Sequence, residues 1–204
     1  AYTGGINIAD EYVNEKRMYG YWKDNAVRMD GDAVQGFTLM FLRQWEFVTR
    51  KSFDYSPFLK LSGGAAAARG KACCDTGVFL PFAAGLEYRD PVVRDMYANI
   101  IARANEKLYI MTPYFVPDET ITDLLAGKAR SGVDVRMVLP GIPDKKYVYL
   151  ISLDNADKLI DSGVKIYTMS DTFVHTKSVL TENCAVIGSA NFDLRSFFQQ
   201  YENA

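Results

Sequence analysis

The sequence predicts an α/β fold, a largely parallel central sheet flanked by helices, joined to the tail of a second, truncated lobe. Three features carry this expectation. In the second half of the 204-residue chain, short β-type runs alternate with helical periodicity. Capping and turn residues punctuate that alternation at regular intervals. A glycine-containing segment at the start of the chain is repeated near its end.

Residues 19–50 hold both tryptophans and an amphipathic stretch around 34–47, and read as the end of another folded unit. Residues 62–77, with a Gly-Gly-Ala-Ala-Ala-Ala run, lack apolar periodicity and read as a connection. Asp90-Pro91 opens a helix whose Val93, Met96, Tyr97, Ile100 and Ile101 share a face. Residues 108–112 form a β-type run that stops at Pro113. Asp118 caps the next helix, with Ile121, Leu124, Leu125 and Ala129 on one side, and Ser131-Gly132 ends it. A buried strand at 133–139, a helix at 146–161 ended by Ser162-Gly163, and a strand at 164–169 come next. The chain thus divides into residues 1–51, the C-terminal tail of a first lobe; 52–89, a linker; and 90–204, a second lobe.

Composition excludes several classes. A net charge of −2 supplies no global basic field for nucleic acid or acidic lipid. Three cysteines, with Cys73 and Cys74 adjacent, make neither a disulfide framework nor a CxxC pair, and a reducing compartment is the natural setting. With a single histidine no metal site is expected, and no cofactor. The apolar run at 78–86 is too short for a bilayer and is interrupted by Pro81, and no signal peptide is visible. The first residue is Ala1, so the chain reads as cut from a longer one.

The repeat is specific. Ala1-Tyr2-Thr3-Gly4-Gly5-Ile6-Asn7-Ile8 echoes Ala185-Val186-Ile187-Gly188-Ser189-Ala190-Asn191-Phe192, each a strand, then Gly-small-x-Asn, then a turn. Ten residues before Ala185 stands His175-Thr176-Lys177, whose counterpart would precede Ala1. Residues 174–180 alternate as one strand, so His175 and Lys177 project from one face, and residues 184–187 form the next strand. A lone strand histidine is by itself an ordinary core or surface residue; its company gives it chemical meaning. Lys177, the Ser189 hydroxyl and the Asn191 amide suit the oxygens of a phosphoryl group, while an imidazole attacks or protonates.

His175-Thr176-Lys177 followed by Gly188-Ser189-Ala190-Asn191-Phe192-Asp193-Leu194-Arg195-Ser196-Phe197 resembles the second HKD motif of the phospholipase D superfamily, most of all that of bacterial cardiolipin synthases. Residues 1–12 and Gly20-Tyr21-Trp22-Lys23-Asp24 resemble the stretch after the first HKD motif there. Thr112-Pro113-Tyr114-Phe115-Val116-Pro117-Asp118 and Gly132-Val133-Asp134-Val135-Arg136 are similar to that branch as well. The resemblance implies phospholipase D-like lobes that each give one histidine to a shared cleft, with a phosphohistidine intermediate. It implies an acid/base role for His175, and phosphate contacts from Lys177, Ser189 and Asn191. It further implies that Glu202 hydrogen-bonds His175, that Asp24 serves the missing first histidine, and that Gly5 and Asn7 face phosphate in the first lobe. The motif's aspartate position holds Glu182, a departure compatible with a structural hydrogen bond and not with tight catalytic geometry.

The implied function is transfer of a phosphatidyl group between phosphatidylglycerol-type lipids. The implied setting is the cytoplasmic face of a bacterial membrane, with attachment through segments absent here and the chain itself soluble. With one HKD motif the chain alone is expected to be inactive, unless a homodimer shares histidines; nucleic acid is not an expected partner. A phosphodiesterase or nuclease of the same superfamily and a non-catalytic phosphate-binding module remain as alternatives. Tyr114 and Phe115 read equally as an apolar rim or as packing core. Tyr147 and Tyr149, after the mixed loop 143–146, read as lipid contacts or as a solvated segment.

Overall fold

The computed structural model describes residues 1–59 and 78–204; the expected connection at 62–77, with Cys73 and Cys74, lies outside the described residues. The first part holds β1 (Tyr2–Gly4), a 3-10 turn (Asp10–Val13), β2 (Tyr21–Lys23), β3 (Ala26–Arg28) and α1 (Ala33–Thr49). The rest runs β4 (Ala83–Ala84), α2 (Val92–Arg103), β5 (Lys107–Met111), β6 (Phe115–Val116), α3 (Glu119–Arg130), β7 (Asp134–Pro140), α4 (Lys146–Ile160) and β8 (Lys165–Met169). It closes with β9 (Thr172–Val174), β10 (Ser178–Thr181), β11 (Ala185–Ile187), β12 (Phe192–Asp193), α5 (Leu194–Phe198) and β13 (Glu202–Asn203).

The α/β class expected from the alternation is present, and the central sheet is mixed. Its order is β11-β10-β5-β7-β8. Strands β5, β7 and β8 are parallel because α3 and α4 cross between them. Strand β10 enters antiparallel to β5, and the short turn after it makes β11 antiparallel in turn. Leu108, Ile110, Val135, Met137, Leu139 and Val179 line the buried face, each at most 1% exposed, and share one core with Val93, Tyr97, Ile101, Ile121 and Leu125 from α2 and α3. Burying side chains of this size contributes about 1.5–3 kcal/mol each. Strand β7 alternates, however: Arg136 is exposed between buried Val135 and Met137, so this strand is covered on one face rather than throughout.

Local signals act as the residues dictate. The Asp118 carboxylate accepts from the Ile121 amide at 2.9 Å, capping α3, and its other oxygen holds Arg94 at 2.8 Å. Asp193 caps α5 through the Ser196 amide at 2.8 Å. The decisive departure from expectation is at residues 174–180, which are two strands and not one. Strand β9 pairs with β2 in parallel, Tyr21 to Thr172, Trp22 to Phe173 and Lys23 to Val174. Strand β10 pairs with β5. The chain changes sheets at residues 175–177, and that crossing point is where the site forms.

Candidate active site

Residues 175–177 belong to no ladder, and their backbone is held from two sides. The amides of His175 and Thr176 both donate to the Lys23 carbonyl, at 2.8 and 3.2 Å, and the Gly188 amide donates to the Lys177 carbonyl at 3.4 Å. Thr176 and Lys177 are buried. The expected common face of His175 and Lys177 is retained across the strand break: Lys177 Nζ lies 2.8 and 2.9 Å from the two ring nitrogens of His175.

The carboxylate that meets His175 is Asp24, not Glu202. Asp24 follows β2, and the β2–β9 ladder carries it to His175, Oδ2 lying 2.7 Å from Nδ1. Both side chains are buried, His175 at 12% and Asp24 at 3% exposure, so the contact is little screened by water. A carboxylate at Nδ1 favours the Nδ1–H tautomer, which turns the Nε2 lone pair toward Lys177 Nζ at 2.9 Å. Burial depresses the His175 pKa, the Asp24 hydrogen bond opposes this, and the neighbouring Lys177 charge adds to the depression. The net effect favours the neutral imidazole over the imidazolium. Tyr12 meets its ring edge-on at 5.1 Å, and Trp22 and Phe173 pack at 5.5 and 5.9 Å.

Glu202 occupies a different corner. Its carboxylate accepts from the Ser189 hydroxyl at 2.5 Å and from the Ser196 hydroxyl at 2.7 Å. Burial raises its pKa, and the two serines pull it back. Lys177 is pushed down to about 7, first by burial and against the pull of Asp24 and Glu202.

The other expected residues sort clearly. The Ser189 hydroxyl is engaged with Glu202 and accepts from the Asn203 amide at 3.0 Å. The Asn191 side-chain oxygen is buried and has no hydrogen-bond donor among the described residues. Asn7 donates to the Tyr12 hydroxyl at 2.7 Å. Gly5 makes room rather than a ligand contact: a Cβ there would collide with Asp24 Oδ1 and stand 2.9 Å from the His175 carbonyl oxygen. Glu182 lies in the β10–β11 turn, where its carboxylate takes the amide of Asn105 at 2.8 Å and those of Lys107 and Glu106 at 3.3 and 3.4 Å. Its own backbone amide, with that of Asn105 next, lowers its pKa to about 2. Its contacts are with the start of β5, as a structural hydrogen-bonding residue's would be.

The repeat extends further than its first eight residues. Asp24-Asn25-Ala26 and Glu202-Asn203-Ala204 occupy matching places. The Gly5 amide donates to the Asn25 carbonyl at 3.1 Å, and the Ser189 amide to the Asn203 carbonyl at 2.9 Å. A Cβ on Gly4 would collide with the Asn25 carbonyl oxygen, and one on Gly188 with that of Asn203. The halves join where Thr3 Oγ1 donates to Asn203 Oδ1 at 2.6 Å. The acid-Asn-Ala triplet is the sequence signal for this extension, and it lies beyond the strand-and-turn similarity of the first eight residues.

The family model described as cardiolipin synthase, PLD-like domain, matches residues 97–204, which include His175, Lys177, Ser189, Asn191 and Glu202. The chain belongs to that family. Cardiolipin synthase 2 of Bacillus anthracis is 36% identical over 202 residues, covering 98% of this chain and 38% of that protein. The cardiolipin synthase of Geobacillus kaustophilus is 36% identical over 206 residues, 98% of this chain and 39% of the other. This PLD-like chain therefore spans about two fifths of the length of these relatives. In fold it is similar to the crystal structure of phosphatidylserine synthase from Haemophilus influenzae, with a TM-score of 0.62 at 16% identity over 99% of this chain and 53% of that one. No helix among the described residues is long and apolar enough to cross a membrane.

Proposed function

We propose that this chain supplies one side of the active site of a cardiolipin synthase-like phosphatidyltransferase, which moves a phosphatidyl group between phosphatidylglycerol-type lipids through a phosphohistidine intermediate. The observation that carries the reading is the buried His175–Asp24 contact, 2.7 Å from Nδ1 to Oδ2, beside buried Lys177. Nε2 of His175 takes the proton of the attacking alcohol or returns one to the departing alcohol, and Asp24 stabilises the imidazolium that forms. Lys177 and the Asn191 side-chain amide meet the phosphate oxygens, and Ser189 joins them by turning its one proton away from Glu202.

One imidazole cannot be both nucleophile and acid in the same step. A second histidine is required, and Glu202, placed by the repeat as Asp24 is placed, is the carboxylate that would hold it. The 204-residue chain alone is accordingly inactive, except where two copies pair and share histidines. In this reading the full-length protein acts on lipid at the cytoplasmic face of a bacterial membrane. Incubating that protein with phosphatidylglycerol vesicles should yield cardiolipin and glycerol, with His175→Ala lowering the rate at least about a thousandfold. DNA cleavage sensitive to His175→Ala, with no lipid turnover, would overturn this in favour of a phosphodiesterase of the same superfamily. Product formation by the isolated chain as a monomer would refute the two-histidine requirement.

A further inference from the structure

Strand β11 is one edge of the central sheet and has no second partner strand among the described residues. On its inner side Val186 pairs with Val179 of β10, between a bond from the Thr181 amide to the Cys184 carbonyl and one from the Gly188 amide to the Lys177 carbonyl. Bonded and non-bonded pairs alternate in an antiparallel ladder, so Ala185 and Ile187 turn their amides and carbonyls outward. A groove follows this open edge, lined by Ala185–Ile187, by Ala204 and by residues 78–82. Val78, Phe79 and Leu80 there are each at least 65% exposed, an apolar run left uncovered beside unpaired backbone.

In the first half of the repeat the same edge is closed. Ala1 and Thr3 stand there where Ala185 and Ile187 stand in the second half, and β3, which continues from Asp24-Asn25, pairs with them. The Met29 amide donates to the Ala1 carbonyl at 2.8 Å, Val27 faces Thr3, and the Gly5 amide donates to the Asn25 carbonyl at 3.1 Å. The second half begins the same ladder, with the Ser189 amide on the Asn203 carbonyl at 2.9 Å. On its other side Ala204 exchanges two bonds with Phe82, at 2.9 and 3.1 Å. Extending both ladders in register puts the first and third residues after Ala204 opposite Ile187 and Ala185, and the second opposite Leu80. Pro81, which has no amide to give, falls opposite the first, where the ladder on that side calls for no bond.

We propose that the groove is the docking site of the stretch that follows Ala204 in the full-length protein, which enters it as a strand between β11 and residues 78–82. That strand is antiparallel to β11 and covers Val78, Phe79 and Leu80. It anchors Glu202-Asn203 from beyond, as β3 anchors Asp24-Asn25, and it fills with protein an apolar groove that a lipid tail could otherwise enter. The inference stands on the repeat and the two ladders, and not on the phosphatidyl-transfer reading.

The test compares amide hydrogen exchange, residue by residue, in the full-length protein and in the same protein ended at Ala204. The Ala185 and Ile187 amides should exchange at least about tenfold more slowly in the full-length protein. Val186, bonded to Val179 in both forms, should exchange alike and reports that the sheet itself is intact. A second measurement names the occupant and needs no shortened form, should that form fail to fold. Phe79→p-benzoylphenylalanine, placed opposite the third residue after Ala204, should on illumination of the full-length protein cross-link to the first few residues after Ala204. Fast exchange of Ala185 and Ile187 in the full-length protein, or equal protection of them in two folded forms, overturns the inference. Cross-links that go only to lipid, to a second copy or to residues before Ala1 overturn it as well. Neither readout depends on turnover, so the loss of this inference leaves the transferase reading where it stands.

Discussion

Replacing Asp24 by asparagine removes the one negative group that contacts His175 among the described residues and keeps the side chain's shape. The pair is buried, with Asp24 3% and His175 12% exposed on the side chain, so the hydrogen bond is at full strength. A charge-assisted bond of this kind contributes about 1.5–3 kcal/mol, about ten- to a hundredfold in the equilibrium for protonating the imidazole. Burial and the Lys177 charge remain to depress that protonation. Protonation of His175 should therefore become harder still in Asp24→Asn, and the tautomer should cease to be uniquely Nδ1–H. His175 is the only histidine, so nitrogen-15 NMR of the imidazole in this chain reads the effect without assignment ambiguity. Glu202→Gln is the matched control and should leave the titration in place, because Glu202 is engaged by Ser189 and Ser196. An unmoved or upward midpoint in Asp24→Asn, or a shift produced by Glu202→Gln in its stead, would refute the pairing.

Two further perturbations read the surrounding electrostatics. With Lys177 held at about 7 in the folded chain against an ordinary 10.5, the unfolded chain binds more protons above pH 7. Stability should rise by about 2 kcal/mol from pH 7 to 9 on this account. Thermal unfolding should show the rise in wild type and its absence in Lys177→Met. Glu182, with a folded pKa near 2 against an ordinary 4.5, stabilises above pH 4.5 and loses that contribution as pH falls through about 2. Urea unfolding should find Glu182→Ala weaker than wild type at pH 6, with the two converging toward pH 2, while the His175 NMR titration is unchanged.

Much of the fold is legible in the sequence because its causes are local. Asp118 caps α3 as its position before an apolar-periodic stretch requires, and α4, expected at 146–161, runs Lys146–Ile160. The break at 175–177 is not legible. Alternation with period two looks the same whether a segment pairs in one sheet throughout or leaves one ladder for another, and only the partners β2 and β5 decide it. In the same way Val135 and Met137 announce a buried strand, but whether Arg136 between them faces helix or solvent depends on which faces are covered.

The site divides along the same line. Which groups are candidates for the chemistry is set by residue type and spacing: an imidazole, a lysine two positions on, and a Gly-Ser-x-Asn turn suited to phosphate. Which carboxylate serves the imidazole is not. Asp24 is 151 positions from His175 and Glu202 only 27, yet the nearer one in sequence is held by two serines and the distant one makes the bond. Side-chain chemistry is a property of the residue and survives in the sequence. Proximity between distant segments is a property of strand pairing, and here the parallel β2–β9 ladder delivers Asp24 to His175.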